Sequence, residues 1–329
     1  MKHGVQRPAR TRAYAFISMK KLIDGIENLT EKLPCPVVAI GNFDGVHLGH
    51  QAIFRKLVER AEKRNGTSVV FTFEPHPLRI IAPERAPQLL TPFKDKVNLI
   101  KKTGVDVIIC ANFTREFARV TAEDFVREML HKNIGAKEVF IGSNYRFGKG
   151  RKGSPELLAK LGKKYGFRVS VMDEIELNGV VISSSRIRTL IAKGRVEEAS
   201  SFLGRNYSVV GIVVEGAKRG KSLLNIPTAN IAVFNDLLPK DGVYAVRVTA
   251  GKKVYGGAAN IGHNPTFKDK SFSFEVHLLD FDGYLLGKNI RVSFIERIRD
   301  EIRFSSVEDL KAQLEKDINN IREILKAKT

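Results

Sequence analysis

The sequence has no tryptophan, four methionines and only two cysteines among its 329 residues. Cys35 and Cys110 cannot build a disulfide framework or a thiolate metal cluster. That excludes small secreted disulfide scaffolds and zinc modules and points to a reducing, cytoplasmic setting. Both thiols read as small core residues. No apolar run approaches the roughly 20 residues of a membrane-spanning helix, so no membrane partner is expected. Internal repeats and low-complexity tracts are also missing. Before Leu22 there are six Lys or Arg and no Asp or Glu. Residues 1–18 lack the apolar core of a signal peptide and read as a flexible basic extension, with Met19 as an alternative start. The whole chain carries a formal charge of +19, from 55 Lys and Arg against 36 Asp and Glu. Such an excess suits nucleic acid, a membrane surface or anionic small molecules. No RNP-like strand, zinc knuckle or DNA-reading helix accompanies it, and runs such as Lys160 to Lys164 read as solvated helix faces. Nucleic acid is therefore not the expected partner.

What the chain does have is order that changes character along its length. In the first half, apolar runs alternate with amphipathic stretches. Strands are expected at Val37–Ile40, Ser68–Phe73, Val105–Ala111, Glu138–Gly142 and Arg168–Met172. Helices are expected at His50–Arg64, starting near Leu48, and at Phe93–Lys102, Ala122–Lys132 and Pro155–Tyr165. Strand–helix alternation predicts a mostly parallel sheet covered on both faces, with ligands beyond the carboxyl ends of the strands. After Ile182 come two short helices, through Lys193 and over Val196–Leu203. Short β-rich runs follow: Val209–Val214, Val243–Val248, Val254–Ala259, Phe272–Leu279 and Asn289–Phe294, which predict an antiparallel barrel. One amphipathic helix, Ser306–Lys326, ends the chain, with Leu310, Leu314, Ile318, Ile321 and Leu325 on its buried side. The expected division is 19–188, a helical connection at 189–204, and 205–329.

The most informative stretch is Gly41-Asn42-Phe43-Asp44-Gly45-Val46-His47-Leu48-Gly49-His50, directly after the first strand. His47 and His50, three apart at a helix start, share one face. The free N–H groups and positive dipole end of the helix favour an anion there. Two imidazoles are too few ligands to hold a metal alone, which leaves satisfied structural histidines or a grip on a triphosphate. Asp44 reads either as a bond to the turn backbone or as part of that grip. Further along, Ser183-Ser184-Ser185 opens a helix that carries Arg188, a second place suited to phosphates or to plain capping.

A second constellation lies in the β-rich half. Gly216-Ala217-Lys218-Arg219-Gly220-Lys221-Ser222 is a glycine-basic loop that suits phosphates through Gly216, Gly220 and Lys221. The Walker A spacing is wrong, and Pro227 stands where that motif needs a helix. Thr228 and Asn230 alternate on an extended segment and face one way, as hard oxygen donors suited to Mg²⁺. In Phe272–Leu278, alternation sends Phe274 and Val276 to one face and Glu275 and His277 to the other.

Together these segments resemble the prokaryotic bifunctional riboflavin kinase/FAD synthetase family. GNFDGVHLGH is similar to the H-x-G-H signature of nucleotidyltransferases. Ile141–Gly148 and Ile182–Arg188 resemble that family's second and third motifs, Thr72–Pro77 its flavin-side loop, and Pro227-Thr228-Ala229-Asn230 its kinase signature. The resemblance implies a Rossmann-like nucleotidyltransferase domain and a Greek-key riboflavin-kinase-like barrel with a C-terminal helix. It implies two reactions: ATP phosphorylates riboflavin to FMN, and a second ATP adenylylates FMN to FAD. For the adenylyltransferase it implies ATP binding by Gly41, Asn42, Phe43, Asp44, His47, Gly49, His50, Ser184, Ser185 and Arg188, with Asn144 and Arg146 at a phosphate. For the kinase it implies ATP and Mg²⁺ at Thr228 and Asn230, Glu275 as the base, and flavin at Asn264 and Arg299. Asn225 stands where the family usually has glycine. Three rival readings remain: a kinase with a degenerate transferase half, a transferase for another phosphorylated substrate, and a non-catalytic nucleic-acid-binding or flavin-sensing protein.

Overall fold

The computed structural model describes residues 21–215, 228–263 and 272–328. The basic extension 1–18 and Asn225 lie outside them. The chain forms two compact units. One runs to Pro87 and resumes over Phe93–Ile175; the other takes Gln88–Pro92 and everything from Glu176 onward.

The first unit is a six-stranded parallel sheet in the order β1-β4-β3-β2-β5-β6. Its strands are β1 (Lys21–Asp24), β2 (Val37–Ile40), β3 (Ser68–Glu74), β4 (Val107–Asn112), β5 (Glu138–Gly142) and β6 (Arg168–Met172). The central strands are continuous apolar runs because both faces are covered. Val37, Ala39, Val70 and Ile108 pack with Phe54, Leu57 and Ala61 of α1 (Leu48–Glu62) and with Val97 and Ile100 of α3 (Phe93–Lys102). On the other face, Val38, Ile40, Val69, Phe71 and Ile109 pack with Phe125 and Leu130 and with Leu158 and Leu161 of α5 (Pro155–Tyr165). β2 lies between β3 and β5, where the direction of the crossovers reverses. In open α/β sheets that switch point is where ligands bind.

Several features differ from the sequence expectation. Cys35, expected in the core, is exposed, whereas Cys110 is buried. β1, a four-residue edge strand beside the basic extension, carries too little pattern to stand out. The regular α-helix expected over Ala122–Lys132 is instead a short α4 (Ala122–Asp124) that runs into a π-helix, Phe125–Ile134. The wider turn of a π-helix lets Phe125, Val126, Leu130 and Ile134 all reach the core.

The second unit opens with the hairpin β7 (Glu176–Leu177) and β8 (Val180–Val181), then α6 (Ser184–Ala192) and α7 (Val196–Leu203). Its main body is a closed barrel ordered β10-β13-β12-β11-β14-β9. The strands are β9 (Ser208–Val214), β10 (Ala229–Val233), β11 (Gly242–Ala250), β12 (Lys253–His263), β13 (Phe272–Leu278) and β14 (Asn289–Arg299). β11, β12 and β13 form a meander and β10 returns beside β13, which is a Greek key. Period-2 alternation fills the barrel with Tyr244, Phe274 and Phe294, all fully buried. Phe294 meets Tyr244 edge-on at 5.2 Å and Phe274 in a stack at 6.1 Å. α8 (Val307–Ala327) covers the outside, with Ile321 against Ala245, Leu279 and Ile295. Of the five residues expected on its buried side only Ile321 is fully buried; the other four are half-buried.

Phe294→Ala removes the ring shared by these contacts and is expected to lower the stability of the barrel by roughly 3–5 kcal/mol, read as a fall in its urea midpoint. At Asp300, hydrogen bonds from Lys240 and Arg297 pull the carboxyl down to about 2. The folded state thus releases this proton more readily than the unfolded chain. The stabilisation is complete above about pH 4 and is lost as pH falls through 2. Asp300→Asn should flatten the acid dependence of the melting temperature in that window.

Candidate active sites

The first site grows out of the end of β2. Gly41 has no room for a side chain, since a Cβ would sit 2.9 Å from the Phe43 ring. The chain then passes through left-handed backbone at Phe43 (φ 51°), Gly45 (82°) and Val46 (42°). His47 follows in extended geometry as the N-cap of α1, its side chain accepting the N–H of His50 at 3.3 Å through Nδ1. That bond fixes the tautomer: the neutral ring carries its proton on Nε2 and offers it as a donor. The His47 and His50 rings stack at 3.6 Å with their planes 20° apart. The edge contact of His50 with Phe43 (5.2 Å), and of Phe43 with Phe54 (4.8 Å), fixes the pair to the core. Gly49 must be glycine-sized, because a Cβ there would lie 3.1 Å from the His47 ring. Asp44 and His47 are both buried, at 5% exposure.

Asn42 joins this turn to the loop after β3. Its side-chain amide lies 3.1 Å from His76 Nε2, and its carbonyl accepts from the Thr72 hydroxyl at 3.2 Å. His76 in turn caps α2 (Pro77–Ile81), taking the Leu78 N–H on Nδ1. The Lys96 ammonium, from α3, reaches both the turn and the end of β3, 3.5 Å from the Asn42 carbonyl and 3.2 Å from the Phe73 carbonyl.

The other motif residues are more exposed. Asn144 donates to Glu174 at 2.8 Å, and Arg146 donates to the Tyr145 carbonyl at 2.9 Å. Ser184, Ser185 and Arg188 belong to the second unit. Ser183 takes the cap of α6, accepting the Arg186 N–H at 3.3 Å. Ser184 and Ser185 therefore form its first turn, and Arg188 Nε donates to the Gln88 carbonyl at 2.8 Å.

The second site lies on the outer face of the barrel. β10 and β13 pair so that Asn230 stands directly opposite Glu275, and Glu275 is also opposite Asn260 of β12. Paired residues of an antiparallel ladder share a face. The Thr228 hydroxyl donates to Glu275 Oε2 at 3.4 Å. A hydroxyl, an amide oxygen and a carboxylate thus converge as hard oxygen donors. Arg299 ends β14 and is held by Asp317 of α8, with Nε at 2.9 Å and Nη2 at 2.7 Å from Oδ2. Gly216, Gly220, Lys221 and Asn264 lie outside the described residues. Among the described residues no cluster of three His, Cys, Asp or Glu could hold a metal, and no helix is long and apolar enough to cross a membrane.

Three participants escape sequence reading: Lys96, His76 as the partner of Asn42, and Asp317 as the anchor of Arg299. Only Lys96 leaves a signal, as a cation on the apolar face of α3.

Comparison with known proteins adds the remaining information. A family model for FAD synthetase matches residues 30–186, and one for riboflavin kinase matches 203–325. A bifunctional riboflavin kinase/FMN adenylyltransferase from Escherichia coli (strain K12) is 40% identical over 92% of this chain and 97% of its own. One from Haemophilus influenzae is 37% identical over 92% and 98%. A crystal structure described as a macrolide-efflux protein from Streptococcus pneumoniae superposes with a TM-score of 0.82 at 33% identity, covering 92% of this chain and 98% of that one. Its description names a different activity, and its contribution here is the fold; the family models and the curated relatives agree with each other. Matched along nearly its whole length, and on both of its halves, the chain belongs to the family of bifunctional riboflavin kinase/FMN adenylyltransferases.

Proposed function

We propose that the barrel phosphorylates riboflavin with ATP to give FMN and ADP, and that the parallel-sheet unit adenylylates FMN with a second ATP to give FAD and pyrophosphate. The domains we assign are 19–188 for the transferase and 205–329 for the kinase. The observation that carries the reading is the presence of two chemically distinct sites in one chain: a stacked histidine pair at a helix start, and a carboxylate facing Thr228 and Asn230 across a ladder.

In adenylyl transfer an FMN phosphate oxygen attacks the α-phosphorus of ATP and pyrophosphate leaves. The attacking oxygen is already anionic, so the site needs donors and no base. His47 Nε2–H, His50 and the N–H groups at the start of α1 meet the charge that develops on the phosphate oxygens. Gly41, Asn42, Phe43, Asp44 and Gly49 shape that cradle. Ser184, Ser185 and Arg188 would take the β- and γ-phosphates, and Asn144 and Arg146 the FMN phosphate or nucleotide.

In the kinase the nucleophile is an alcohol. Glu275 takes the proton of the ribityl 5′-hydroxyl as its oxygen attacks the γ-phosphorus. Thr228 and Asn230 suit Mg²⁺ carried on the ATP phosphates, which when bound offsets their negative charge. Gly216, Gly220 and Lys221 would hold the same phosphates, and Asn264 and Arg299 the flavin. Substrates and products are small molecules, and the cytoplasm is the expected compartment.

Incubation with riboflavin, ATP and Mg²⁺, followed by separation of the flavins, tests the whole scheme. FAD should accumulate. FMN alone would indicate a degenerate transferase, and no conversion would refute the reading. His50→Ala should stop at FMN, with adenylyl transfer reduced about 10²–10³-fold. Glu275→Gln should lose riboflavin phosphorylation by about 10²–10⁴-fold yet still convert supplied FMN to FAD. Gly49→Ala pushes a methyl group against the His47 ring. Adenylyl transfer should fall about 10²-fold with the kinase rate unchanged, measured by FAD and FMN formation on one sample.

A further inference from the structure

Phe93, Val97 and Ile100 form the apolar face of α3, and Lys96 lies in the same stripe. At 6% exposure it is a buried cation, and such a group needs oxygen partners. It finds them on the turn after β2 and on the last residues of β3, at the carboxyl end of the sheet. Lys96 Nζ lies 3.2 Å from the Phe73 carbonyl, 3.4 Å from Thr72 Oγ1, 3.5 Å from the Asn42 carbonyl and 3.8 Å from Glu74 Oε2. Thr72 sits at the centre of this set, accepting from Lys96 and donating to the Asn42 carbonyl at 3.2 Å. The ring closes through His76, which meets the Asn42 side chain.

We propose that Lys96 is a positioning residue for adenylyl transfer, clamping the turn that presents His47 and His50 to the end of β3, Thr72–Glu74. This rests on reading the sheet unit as an FMN adenylyltransferase. Stability alone does not account for a lysine here, since apolar replacements of buried charges are often neutral or stabilising. What an apolar side chain cannot do is hold three oxygens from the turn after β2 and the end of β3 at once. Asn42 precedes the left-handed turn, so a shift of its carbonyl is carried along the turn to the histidines, and in-line transfer is sensitive to small displacements. Burial lowers the pKa of Lys96, opposed by Glu74 on β3, Cys110 on β4 and Asp44 in the turn. The clamp therefore loosens at high pH.

The test compares the full chain with Lys96→Met and with Thr72→Val, a near-isosteric change that removes only the central hydroxyl. For Lys96→Met the kcat of FMN adenylylation should fall about tenfold or more, while KM for ATP and FMN stays within about threefold and riboflavin phosphorylation on the same sample is unchanged. The wild type should show an alkaline decline of kcat that Lys96→Met lacks. Thr72→Val should lower the same kcat several-fold, and the double variant should fall no further than Lys96→Met alone. A Lys96→Met kcat within about twofold of wild type overturns the proposal. So does an unaltered Thr72→Val kcat, which decides the matter if Lys96→Met does not fold. A wild-type protein that phosphorylates riboflavin but makes no FAD overturns the adenylyltransferase reading, and this proposal with it.

Discussion

Between β2 and α1 the backbone is forced through the left-handed region three times within four residues, and the carboxyl end of the sheet depends on that path. Two of the three residues, Phe43 and Val46, are not glycine. Each such residue costs of the order of 1–3 kcal/mol and persists only where its surroundings over-determine it. Here they do. Phe43 and Val46 are buried at 5% and 1% exposure and form part of the core beneath α1. The Val46 N–H donates to the Phe43 carbonyl at 3.2 Å, and Gln51 donates to the Val46 carbonyl at 2.9 Å. A turn pinned in this way delivers His47 to the cap position with one tautomer and one ring orientation before any ligand arrives. That is electrostatic preorganisation.

The barrel reaches its site by a different route. Here the ladder register sets Asn230 opposite Glu275. A slip of one residue would send Glu275 inward, into the space of Phe274 and Val276. The apolar filling of the barrel therefore fixes the position of the polar face. Tyr244, Phe274 and Phe294 hold the register, and Glu275 is aimed outward as a result.

Much of this is legible in the sequence where pattern and function coincide. Val37–Ile40 followed by a glycine turn and two histidines announces a strand, its carboxyl end and a helix start together. Phe272–Leu278 alternates so cleanly that the outward face of Glu275 follows from spacing. What stays hidden is set by contacts distant in sequence. Asp317 and Arg299 meet only because α8 folds back on β14. His76 and Asn42 meet because β3 pairs with β2. Gln88–Pro92 belongs with the residues from Glu176 onward rather than with its sequence neighbours, and no local signal marks that. The capping role of His47 is hidden as well, since histidine is not among the favoured N-caps and the turn before it selects it.

The residue classes at the two sites follow from the nucleophiles they are proposed to serve. A phosphate monoester brings its own negative charge, so a nearby carboxylate would repel it and a base would have nothing to remove. The first site accordingly presents imidazoles and backbone N–H groups at the start of α1, and the two carboxylates nearest that turn are tied up: Asp44 is buried, and Glu74 lies 3.8 Å from the Lys96 ammonium. An alcohol has a proton to lose, and the second site places a carboxylate where it can take it, with only a hydroxyl and amides beside it on the ladder. The two arrangements thus differ in the charge they set against the nucleophile proposed for each. Two separately folded units are the simplest way for one chain to hold both.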